Sequence, residues 1–228
     1  MRKLLCIAIV FLLAGCASIG KPDKELFEKG FSGNYEPLRI GIYVDQGIPA
    51  DRVKEITNGL RDEFMPYGIR VEIPWIRPWQ RKGFQTLEIV ANISKLPLEF
   101  PCDRILVIIG RNTNDFIWGL FLPENLGAVE NFTRTKGFVV GEIGSLNQAA
   151  SGISPTEAAI HEVYHMLGCE DGQSGWGVYM KVMGMRSLAY ENRNQRKQNF
   201  FPSMSIGGQM FWNRRDVELV LDKSVFDR

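Results

Sequence analysis

The sequence predicts an α/β fold, with helices layered against one β-sheet, and three observations carry that reading. Runs with strand character alternate with runs of helical period along residues 38–143, as they do where crossover helices join strands. The run "RILVIIG" (104–110) is apolar without alternation, the pattern of a strand buried on both faces. A chain of 228 residues, 45% hydrophobic and 23% charged, is long enough to enclose such a sheet in one main domain.

The elements follow in order. "LRIGIYVD" (38–45) alternates and reads as a strand. Val53, Ile56, Leu60 and Phe64 recur at helical spacing within 50–65, so a helix comes next. "IRVEIPWI" (69–76) is a second strand, with Pro74 suggesting a sheet edge or a strand end. A helix near 84–95 leads to the buried strand at 104–110. A Gly-, Pro- and aromatic-rich stretch containing Phe116, Trp118, Phe121 and Leu122 separates it from short strands around 127–132 and at 137–143. The segment from Gly127 to Asn131 is the candidate edge strand. After a helix at 155–167 the pattern weakens until "RRDVELVLDKSV" (214–225), a final helix.

The first residues read as a targeting signal. "MRKLLCIAIVFLLAGC" has two basic residues, an apolar run from Leu4 to Leu13, then small residues, and the run is too short for a comfortable membrane span. Leu13-Ala14-Gly15-Cys16 resembles a bacterial lipobox, which implies cleavage before Cys16, lipidation of that cysteine and anchoring in a membrane. Ala17 follows, and the resemblance then implies the outer membrane, facing the periplasm. Residues 1–15 are thus a lipoprotein signal, 16–36 a lipidated cysteine and polar tether, and 37–228 the folded part. Formal charge is +1, and loss of Arg2 and Lys3 with the signal leaves −1, so no electrostatic case exists for nucleic acid. A monomer is expected.

"SPTEAAIHEVYHMLGCED" (154–171) contains both histidines of the chain. Ser154 with Glu157 three residues later forms a capping box, and Pro155 takes the first helical position. On that helix His161 and His165 lie one above the other, able to chelate one metal, with Glu162 beside them. That is the HExxH zinc pattern. Gly168 turns the chain and Asp171 stands three residues on, completing His161-Glu162-x-x-His165-x-x-Gly168-x-x-Asp171. A bare HExxH is a weak signal; the extended string is far more specific.

The extended string resembles the metzincin clan of zinc peptidases, and its aspartate resembles the snapalysin type. The resemblance implies a twisted mixed sheet with a backing helix and an active-site helix, an upper subdomain to about 168, and a small lower subdomain (169–228) ending in a helix. It implies one zinc ion held by His161, His165 and Asp171, with Glu162 as general base toward a metal-activated water. It also implies a methionine turn at Met183 beneath the metal; Met185 takes the place where some branches carry an extra tyrosine ligand. Glu170 and Glu191 are rival third ligands. Two neutral imidazoles and one carboxylate leave the site a charge of about +1, against about +2 for three imidazoles, so a higher pH optimum than in three-histidine relatives is expected. In this clan a peptide substrate usually adds as a strand to an edge strand above the metal.

Cys102 and Cys169 remain after the signal and the lipidated cysteine are set aside. In an oxidising compartment they form a disulfide or stay as two buried thiols. A helix antiparallel to the strands ends near their starts, which favours a Cys102–Cys169 bond. The functional expectation is a lipid-anchored zinc endopeptidase acting on peptides or proteins; the alternatives are a non-catalytic envelope-assembly or binding lipoprotein on the same frame, and hydrolysis of a non-peptide bond.

Overall fold

The computed structural model describes residues 35–112, 126–130, 133–142 and 154–167. These residues build six strands, three α-helices and a 3₁₀ turn. In chain order they are β1 (Glu36–Asp45), α1 (Ala50–Phe64), the 3₁₀ turn (Met65–Tyr67), β2 (Ile69–Glu72), β3 (Ile76–Trp79), α2 (Thr86–Ile93), β4 (Arg104–Ile109), β5 (Gly127–Val129), β6 (Lys136–Val140) and α3 (Pro155–Met166).

The strands make one sheet in the order β2-β1-β4-β6-β5, with β3 also paired to β1. Every pairing is parallel except β5 against β6. Buried side chains fall into two clusters, one on each face. On the first face Leu38, Ile40, Ile42, Leu106, Ile108 and Val139 meet α1 and α3. On the second, Tyr43, Ile105, Val107, Ile109 and Phe138 meet Ile89 and Ile93 of α2. Successive residues of β1, β4 and β6 thus alternate between two cores, which is why 105–109 is apolar throughout and fully buried.

One strand expected over 69–76 is in fact two. β2 pairs with Glu36–Arg39 of β1 and β3 with Ile42–Asp45, on the same flank of β1. Pro74 lies in the break, and Trp75 turns inward there: its ring stands edge-on to Tyr43 at 5.0 Å and covers Gly41. A prolyl residue cannot donate to the ladder, so the sheet skips it. The α2 helix covers Thr86–Ile93, shorter than the expected 84–95, because Gln85 and Glu88 cap its start.

The α3 helix begins as its sequence predicts. The Glu157 amide donates to Ser154 Oγ at 3.1 Å, and the Ser154 amide donates to Glu157 Oε2 at 2.8 Å. Such a cap stabilises a helix by about 1 kcal/mol. Three contacts fix the helix, two on α1 and one on the sheet. The Tyr164 hydroxyl donates to the buried Glu63 of α1 at 2.5 Å. Thr156 packs on Gly59 of α1, where any Cβ would collide with it. Gly137 of β6 leaves room for the Met166 methyl, which would stand 2.8 Å from a Cβ there.

The direction of α3 is antiparallel to the parallel strands. Arg104, fully buried at the start of β4, donates from Nε to the Met166 carbonyl at 3.1 Å. A guanidinium at a helix C-terminus both satisfies an orphan carbonyl and complements the helix dipole. Cys102, two residues before Arg104, is likewise buried at this end of the sheet. Its expected partner Cys169 lies outside the described residues, as do Cys16, the 113–125 aromatic stretch and the helix expected at 214–225.

Candidate metal centre

His161 and His165 sit four residues apart on α3, and their imidazoles converge. The two Nε2 atoms are 2.8 Å apart, with ring centroids 4.3 Å apart and planes at 89°. Nitrogens bound to one zinc at 2.0–2.1 Å and a tetrahedral angle stand about 3.3 Å apart, so the pair has to open by roughly half an ångström to chelate. Rotation about the side-chain bonds supplies that. The donor chemistry also fits. Burial, with His165 alongside, pushes the His161 imidazole down from 6.5 to about 3. A neutral imidazole keeps the lone pair that a metal ligand needs.

Glu162 is 5% exposed and lies between the helix and the sheet edge. Gly127, the first residue of β5, lies close above it: a Cβ placed on Gly127 would lie 2.6 Å from Glu162 Cγ and Oε1. The sequence marked Gly127 as the start of an edge strand but not as a neighbour of Glu162. A glycine inside a strand is the available signal, since it often marks close approach of another group.

β5 is the end of the sheet among the described residues. Its register fixes which groups face outward. The Val140 amide donates to the Leu126 carbonyl at 2.8 Å, and the Glu130 amide donates to the Lys136 carbonyl at 2.9 Å. In an antiparallel ladder, alternate residues turn their polar groups to the partner, so Gly127 and Val129 direct theirs to the open side. The turn after β5 is held by Glu130, whose carboxylate accepts the amides of Thr133 and Thr135, each at 3.0 Å, and the Thr133 hydroxyl.

Helix and edge strand thus bring His161, Glu162, His165 and the Gly127 backbone into one place. Among the described residues no third His, Cys, Asp or Glu completes a metal-binding set with them. Asp171, its rivals Glu170 and Glu191, and Met183 lie outside the described residues. No protein-family model matches the chain, and no curated protein matches it.

Proposed function

We propose that this chain is a zinc-dependent endopeptidase of metzincin type, anchored to the bacterial envelope by lipid on Cys16. The observation that carries the proposal is the convergence of the His161 and His165 Nε2 atoms beside a Glu162 carboxylate that faces the sheet's edge strand. The mixed sheet, with its antiparallel edge strand lying over the HExxH helix, supports the same reading.

His161 and His165 would hold the ion through Nε2, with Asp171 as the third ligand. Zinc in such a site supplies Lewis acidity, polarising a carbonyl and making a water more acidic. Glu162 would take the proton from such a water and hand it to the leaving amine. Its burial under β5 keeps competing solvent from the carboxylate. The outward N–H and C=O groups of Gly127 and Val129 would bind the main chain of an added peptide strand and hold its carbonyl over the site.

The test uses the exported protein with and without Glu162→Ala, measuring zinc per chain and cleavage of a mixed peptide library. One zinc in both proteins, with cleavage reduced by at least about 10³-fold in the variant, is the expected result. Zinc in both with cleavage in neither would reject the peptidase reading in favour of a binding protein or a non-peptide substrate. Zinc in neither would reject the metal centre.

A further inference from the structure

Gly127 is a glycine whose backbone does not require one. The left-handed glycines of the described chain are Gly47, Gly68 and Gly83; Gly127 has ordinary strand geometry that any residue adopts. What it lacks is room. A Cβ would lie 2.6 Å from Cγ and Oε1 of Glu162 and 2.7 Å from Cδ, closer than carbon atoms pack without one of them moving.

We propose that Gly127 is the positioning residue of the general base: its missing side chain lets the Glu162 carboxylate lie directly beneath the strand that docks the substrate. The catalytic half of this statement rests on the peptidase reading above; the steric half does not. Any larger residue forces either the strand or the carboxylate to move. The strand is pinned at both ends by the Leu126–Val140 and Glu130–Lys136 hydrogen bonds, and its following turn is tied by Glu130. What a Cβ on Gly127 meets in Glu162 is the outer part of a flexible side chain, from Cγ to the carboxylate. The carboxylate therefore yields, while the imidazoles, one residue before it and three residues after, keep their places on α3.

The consequence is a separation of metal binding from turnover. Gly127→Ala should retain one zinc per chain and a KM within about threefold of wild type, with kcat lowered about 10- to 100-fold, the usual effect of misplacing a reacting group by an ångström. Glu162→Asp withdraws the carboxylate by one methylene. The Gly127→Ala change should therefore cost kcat at least about fivefold less in the Glu162→Asp chain than in the wild type. A merely structural glycine would impose the same loss in both.

The experiment is a double-mutant cycle on the full chain, read in kcat with zinc bound and in thermal midpoint without metal. Gly127→Ala is expected to lower the midpoint with Glu162 present and to do so by less than half as much in a Glu162→Ala chain. Additive midpoints, with equal kcat losses in both backgrounds, would overturn the proposal. A wild-type protein that cleaves no peptide would sink the peptidase reading alone; the midpoint cycle would still decide whether Gly127 makes room for Glu162.

Discussion

The two edges of the sheet are built in opposite ways. On one side β2 and β3 flank β1 with a break at Pro74, a second proline at position 78 inside β3, and charged side chains along the rim. Arg39 and Arg70 both reach Glu72, and Arg77 lies 4.4 Å above the Trp75 ring while pairing with Glu99 at 2.8 Å. Exposed ion pairs of this kind add little stability. Their effect, with the prolines, is to make a poor template for another strand. On the other side β5 runs Gly127-Ala128-Val129 with neither proline nor charge, and the polar groups of Gly127 and Val129 point outward. Among the described residues, the edge left open is the one lying over Glu162. The contrast teaches that, among the described residues, devices against strand addition gather on the edge away from the proposed chemistry.

Three experiments break or sharpen that contrast. The largest effect belongs to His161 on α3. His161 titrates near 3 in the fold and near 6.5 when unfolded, so between those values the unfolded chain binds the extra proton and stability falls as pH falls. In metal-free protein this amounts to a loss on the order of a few kcal/mol from pH 6.5 to 3, read as denaturation midpoints across a pH series. His161→Gln should flatten that slope; an unchanged slope would show that other groups set it. Next, Val129→Pro removes an outward amide from the open edge and should lower kcat/KM about tenfold, mostly through KM, with zinc content intact. Unchanged kinetics would mean that peptides do not dock along β5. The smallest effect is at the opposite edge, where Pro78→Ala should leave cleavage within about twofold of wild type.

What could be read from the chain follows from how local each cause is. The α3 start was legible because Ser154, Pro155 and Glu157 act within one turn, and β4 because burial on two faces leaves an unbroken apolar run. The histidine pair was legible for the same local reason, a spacing of four on a helix. The split of 69–76 was half legible: Pro74 gave the warning, but the second pairing on β1 depends on Trp75 finding Tyr43 across the sheet. Least legible was the Gly127–Glu162 contact. It joins residues far apart in the chain, and it exists only because β6 separates β5 from β4 and brings β5 over α3. Buried Arg104 and Glu63 were equally hidden, since hydropathy places such residues outside until a partner such as the Met166 carbonyl or the Tyr164 hydroxyl is known.

The central claim is that the two imidazoles of α3 share one zinc ion with oxygen ligands, and zinc-edge X-ray absorption on protein loaded with one equivalent tests it most directly. The expected spectrum has a single nitrogen and oxygen shell near 2.0–2.1 Å, outer-shell scattering from two imidazoles, and no sulfur. His161→Ala and His165→Ala should each remove one imidazole from it. A sulfur shell near 2.3 Å would place the metal on cysteine instead, and a spectrum without imidazole scattering would contradict the account.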